Sequence, residues 1–174
     1  MIINERDNRD KQALEVANLM MTAARTAPKG RGYDLLEVGL VKGDKIKELA
    51  KQMESMEYRG GTYSFERDSK NILQAQCVVI IGIREKQLAL NCGHCGSITC
   101  GSRPEGVPCA MNAIDVGVAI GSACAAAADL RVDTRVLYSA GLAAQKLGYL
   151  PDTTLMMAIP ISISSKNPFF DRQG

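Results

Sequence analysis

The chain has 174 residues, 46% of them hydrophobic and 23% charged, with no tryptophan and a formal net charge of +2. That length and composition fit one globular domain with its own core and exclude a disordered chain. A net charge so close to zero leaves no electrostatic footprint for nucleic acid or an anionic membrane, and neither is expected as a partner.

Met1 to Lys11 is polar and charged, without the apolar stretch of a signal peptide, so a cytoplasmic chain is expected. The spacing of Leu14, Ala17, Met21 and Ala24 predicts a first helix over 10–26, with Pro28 just beyond its end. Leu35 to Val41 reads as a short strand. Lys45 to Glu57 reads as an amphipathic helix with Ile46, Leu49, Ala50, Met53 and Met56 on one face. Gly60-Gly61 breaks the chain, and a short helix is expected from Asp68 to Ala75. Cys77 to Ile83 (CVVIIGI) is β-branched, apolar and brief, the pattern of a strand buried on both faces.

Asn91 to Pro108 is rich in Gly, Cys and Pro and reads as irregular chain. A small-residue helix with eight alanines follows, from Ala110 to Leu130, and Gly117 and Gly121 allow a close neighbour on one of its faces. Ser139 to Leu147 reads as a helix capped by Gly148. Thr154 to Ile163 reads as a strand in which Pro160 marks an edge or a bulge. The runs Cys77–Ile83 and Val116–Ala128 fall short of the roughly 18–20 residues that span a bilayer. The expected fold is α+β, a central mixed sheet flanked by helices, as one domain over 1–174 with a Cys-rich loop at 91–109. Residues 1–90 hold 15 Lys/Arg and 13 Asp/Glu, and residues 91–174 only six of each. The charge-poor second half predicts a homodimer contact.

Four of the six cysteines fall in the motif Cys92-x2-Cys95-x4-Cys100-x8-Cys109. In a reducing compartment, clustered cysteines mark metal or redox chemistry more often than disulfides. A [4Fe–4S] cluster needs four converging thiolates, and Cys92 and Cys95 can reach it from one turn permitted by Gly93 and Gly96. Cys109 then opens a helix, whose N-terminal dipole favours negative charge. Structural zinc on the same four cysteines, or redox-active thiols, remain open from spacing alone. Cys77 and Cys124 read as packed thiols.

His94, the only histidine, lies inside the loop and reads as an exposed residue; the alternative is a hydrogen-bond partner that tunes a cluster. Arg25, Lys29 and Arg31, with Gly30 and Gly32, form a basic loop that is either a solvated connection or a contact for a flavin phosphate. Asp115 and Asp129 are expected to face solvent or to pair with Arg135. Asn167-Pro-Phe-Phe-Asp-Arg172 is expected to dock as a C-terminal anchor.

CGHCGSITC resembles the CG-x-CG-x-x-x-C motif of a [4Fe–4S]-binding domain of corrinoid and ferredoxin-linked proteins. AARTAPKGRGYD (Ala23–Asp34), ALNCGHCG (Ala89–Gly96), AIDVGVAIGSA (Ala113–Ala123) and SKNPFFDR (Ser165–Arg172) resemble a family of uncharacterised ferredoxin-domain proteins of bacteria and archaea. That resemblance implies Cys92, Cys95, Cys100 and Cys109 as cluster ligands and carries no known reaction; the single cluster motif itself points to an electron-transfer role with a redox partner protein. Any catalysis would be that of an oxidoreductase. Arg25-Thr-Ala-Pro28, the 110–130 helix and Leu147-Gly-Tyr-Leu-Pro151 are similar to the nitroreductase-like fold, which implies FMN at a homodimer interface. Ahead of the first predicted helix the only arginines are Arg6 and Arg9, so that family's basic phosphate-binding signature is not evident.

Overall fold

The computed structural model describes residues 1–56 and 63–170; the expected break at Gly60-Gly61 and the last two residues of SKNPFFDR lie outside them. Four strands, β1 (Leu36–Lys42), β2 (Cys77–Ile83), β3 (Asp133–Thr134) and β4 (Thr154–Ser162), form one sheet in the order β1-β2-β4-β3. Five helices pack around it: α1 (Glu5–Thr26), α2 (Asp44–Glu54), α3 (Tyr63–Ile72), α4 (Ala110–Asp129) and α5 (Tyr138–Lys146). The α+β class with a central sheet flanked by helices is present. Its strand pairings are all antiparallel, where a mixed sheet was expected. The α2–α3 pair carries the chain back to the end where β1 stopped, so that Cys77 pairs with Lys42.

The CVVIIGI run becomes the central strand β2, and all seven residues are buried. Its period-two alternation divides the interior. Cys77, Val79, Ile81 and Ile83 join Ile159 and Ile161 of β4 beneath α1 and α4. Val78 and Ile80 join Met156 and Ala158 beneath α2, α3 and α5. Each such aliphatic side chain contributes about 1.5–3 kcal/mol on burial.

Helix α1 starts five residues before the predicted position. Asn4 caps it by accepting the Arg6 N–H at 3.0 Å, and Glu5 and Asp7 complement the helix dipole in the first turn. Its first turns carry no apolar period, so periodicity could not find them. The buried stripe is Ala13, Ala17, Met20 and Ala24, one residue away from the predicted Leu14 and Met21. Small residues there let α1 lie close to Ala119, Ala123 and Ala127 of α4, and Ser122 Oγ donates to the Ala23 carbonyl at 2.9 Å.

Pro160 is not on an edge strand. β4 lies inside the sheet, and the register shift with β2 falls between Ile81 and Ile83. On its other flank, β4 pairs with β3 as far as Ile161↔Thr134 and then only through the bridge Ala158↔Leu137. Pro160 occupies the gap, where the ladder needs no N–H. α4 is long and apolar enough to cross a membrane by length and composition alone; here it packs one face on α1 and the sheet and buries Asn112 and Asp115.

Candidate metal centre

The Cys-rich loop leaves β2 through Glu85 and is pinned by Leu88, which is buried against Gly30; a Cβ on that glycine would stand 2.8 Å from Leu88 Cδ1. Asn91 has a φ of 47°, a conformation that asparagine tolerates better than most residues. It brackets the third cysteine: its side-chain oxygen accepts the Cys100 N–H at 2.8 Å, and its own N–H donates to Cys100 Sγ at 3.3 Å. Between them the chain reverses over Gly93–Gly96, with the Gly96 N–H on the Gly93 carbonyl at 2.8 Å. Gly93 and Gly96 have φ of 73° and 84°, the left-handed region that the predicted turn demands. A single 3-10 turn, Cys100–Ser102, is locked by reciprocal bonds between Thr99 and Ser102. The loop ends with Cys109 as the N-cap residue of α4.

This path brings Cys92, Cys95, Cys100 and Cys109 to the wall of one cavity, shared with Gly93, Ser97 and Arg103. All six cysteines are free thiols. The cavity is narrow, ≈ 10 Å³, room for about one water. Among the described residues no three His, Cys, Asp or Glu side chains converge closely enough to hold a single ion. Zinc demands four sulfurs about 2.3 Å from one centre, whereas a cluster takes each thiolate on a separate iron. The Ser97 N–H and hydroxyl donate to the Cys95 sulfur and, against the effect of desolvation, hold that thiol below its ordinary pKa.

Glu85, which the sequence reading did not single out, ties the loop to the sheet. Its Oε1 accepts the Cys109 N–H at 3.0 Å and Arg103 Nη1 at 2.5 Å, and its Oε2 accepts Asn112 Nδ2 at 3.1 Å. Burial works to raise the Glu85 pKa, but these three donors together hold it below the usual carboxylate range. Arg103 also donates from Nη1 to the Val107 carbonyl at 2.7 Å, which folds 103–107 over the ion pair. Asn112 is fully buried and gives its amide hydrogens to Glu85 and the Lys86 carbonyl; among the described residues its Oδ1 has no partner.

The other predicted residues fall elsewhere. His94 is exposed. Cys77 is buried, with its thiol pushed up to about 12 chiefly by desolvation, and partial burial also raises Cys124. Arg25 Nη1 donates to Asp34 and to the Leu36 carbonyl, each at 2.7 Å. Lys29 Nζ donates to the carbonyls of Arg25 and Ala27 at the end of α1, and Arg31 Nη1 donates to the Leu88 carbonyl at 2.7 Å. Asp115 corrects an expectation: it is buried, and its carboxylate accepts the Gly30 N–H at 2.9 Å, joining the basic loop to α4. Arg135 pairs with neither aspartate. It donates to the Phe169 carbonyl at 2.6 Å and lies over the Phe170 ring, so the C-terminal segment docks on its own chain, with Phe169 buried.

A protein of the archaeon Archaeoglobus fulgidus, described only as uncharacterized, is 36% identical over 182 residues, covering 99% of this chain and 98% of its own. A family described as uncharacterized proteins containing a ferredoxin domain matches residues 105–172. The chain belongs to this family. The matched stretch of the ferredoxin-domain family contains Cys109, α4, α5 and β4, and begins after the other three loop cysteines.

Solved structures give the fold. A nitroreductase with bound FMN from Bacteroides fragilis is 14% identical with a TM-score of 0.61, over 92% of this chain and 82% of its own. One with bound FMN from Desulfitobacterium hafniense is 19% identical with a TM-score of 0.59, over 87% and 78%. A nitroreductase-like protein from Bacillus cereus is 11% identical with a TM-score of 0.60, over 92% and 79%. The chain therefore has a nitroreductase-like fold.

Proposed function

We propose that the chain is a redox protein that holds one [4Fe–4S] cluster on Cys92, Cys95, Cys100 and Cys109 and passes electrons to a partner protein. The observation that carries this reading is the convergence of those four thiols, from an 18-residue loop, on one cavity wall. Its support is chemical. The sulfurs of Cys95 and Cys100 already receive hydrogen bonds, as thiolates bound to a cluster do. Cys109 stands at the N-terminus of a 20-residue helix, where the dipole favours negative charge. The positive Arg103 lines the same cavity. When bound, the cluster supplies one-electron chemistry. The chain's own part is to present four thiolates, donate N–H groups to sulfur, and set the positive Arg103 beside them.

Membership of a ferredoxin-domain family agrees with this reading, and the same proposal places the chain in a reducing, cytoplasmic compartment, where thiols stay free. The experiment is a cysteine series prepared anaerobically with iron and sulfide supplied. Each of Cys92→Ala, Cys95→Ala, Cys100→Ala and Cys109→Ala is expected to lose most of its iron, while Cys124→Ala keeps it. Iron content that ignores the loop cysteines would end the proposal.

A second reading adds FMN, because two of the structural neighbours hold it. The basic loop does not favour it: Arg25, Lys29 and Arg31 each donate to this chain's own backbone. No step is assigned to a flavin. Equilibrium dialysis against FMN tests it, and stoichiometric binding would restore it.

We also propose a homodimer through α4. Its outward residues Ala113, Ile114, Gly117, Val118, Gly121, Ala125 and Ala128 are exposed and uncharged, and the glycines leave open space above the backbone.

A further inference from the structure

A second cavity adjoins the thiol cavity and shares Gln87 and Arg103 with it. Its volume is ≈ 600 Å³, within the range of sites that take small organic molecules. It is lined by residues 103–108 of the loop, by Glu85 and Gln87 just beyond β2, and by Thr154 and Leu155 of β4. Arg103 lines both this groove and the thiol cavity.

Three features mark the groove as built for an occupant. Pro104, Val107, Pro108 and Leu155 supply rigid apolar surface, and Val107 remains 37% exposed. Arg103 is held by two bonds from Nη1 alone; among the described residues its Nε and Nη2 donate to no protein acceptor, although the side chain is only 11% exposed. A guanidinium fixed at one corner with donors to spare is a preorganised contact for carbonyl or carboxylate oxygen. Finally, Leu155 has a φ of 49°, a strained conformation for a bulky side chain, at the point where β4 leaves register with β2. Such outliers concentrate where a wall has been shaped for function.

We propose that this groove binds a small organic molecule with an apolar body and a carbonyl or carboxylate oxygen at its rim. The body lies on Pro104, Val107, Pro108 and Leu155, and the oxygen lies on Arg103. The assignment rests on the cluster reading only for its meaning, since a molecule held there would share Arg103 with the thiol cavity.

The probe is anthraquinone-2-carboxylate, which has both oxygen types and does not add to thiols as simpler quinones do. Its affinity is measured by titration calorimetry on cluster-loaded and on metal-free protein, with iron and sulfide assayed in the same samples. Binding is expected in both. Arg103→Gln is expected to weaken it by about tenfold or more, the effect of losing a charged hydrogen bond. Val107→Trp fills the groove from an exposed position and is expected to abolish binding while the circular dichroism spectrum and unfolding midpoint stay unchanged. Absence of binding to the wild type, or equal binding by both variants, overturns the site. Binding with no iron in any sample upholds the site and removes the cluster. Iron and sulfide without binding removes the site and leaves the cluster reading standing.

Discussion

Glu85 accepts from the Cys109 N–H, Arg103 and Asn112, and so couples the end of β2 to the fourth cysteine and to α4. Glu85→Ala removes one of the two acceptors of the buried Asn112 amide and the acceptor of the Cys109 N–H, and is expected to destabilise the metal-free protein by about 1–3 kcal/mol. Glu85→Gln keeps one acceptor oxygen and should cost about half as much or less. Urea unfolding of the two variants checks both figures; equal midpoints for Glu85→Ala and wild type would show that the network carries no stability. Nothing in composition or periodicity points to this residue. The available signal was position: Glu85 is the one acidic residue between Asp68 and Glu105, two residues beyond a fully apolar strand. The four cysteines, by contrast, were legible because thiolate chemistry imposes a spacing. Asp115 was misread because a carboxylate on a helix usually faces solvent, and its partner, the Gly30 N–H, lies 85 residues away.

At the scale of elements, two helical glycines separate packing from propensity. A Cβ on Gly141 would stand 2.0 Å from the Met156 carbonyl oxygen, because α5 lies directly on the β4 backbone. Gly141→Ala must push helix and strand apart and is expected to cost about 2–4 kcal/mol, at the upper end of overpacking effects. Gly117 has nothing within 4 Å of such a Cβ. Gly117→Ala is expected to stabilise the isolated chain by about 0.5–1 kcal/mol through helix propensity. Thermal unfolding of both tests the contrast, and a neutral Gly141→Ala would contradict the α5–β4 contact. Elements with strong local signals were readable: β2 from its β-branched run, α2 and α4 from their patterns. Antiparallel pairing, the shift at Gly82 and the early start of α1 were not, since they depend on which chain segments meet and on a cap that carries no apolar period.

For the whole molecule, the sheet separates two layers. The α1–α4 layer presents one long uncharged helix face to solvent. If that face is the dimer contact, Val118→Glu, at an exposed position, should halve the mass seen by light scattering without changing the fold; an unchanged mass would move the interface elsewhere. The loop at 91–109 carries the other consequence. A ≈ 10 Å³ cavity must widen to admit four irons and four sulfides. Hydrogen exchange in that loop is therefore expected to slow on loading far more than in β2, whose amides are protected in both states. The measurement that bears most directly on the account is iron, acid-labile sulfide and zinc per chain in protein purified anaerobically. About four irons and four sulfides, with negligible zinc, are expected. About one zinc per chain without sulfide would contradict that and make the loop a structural zinc site.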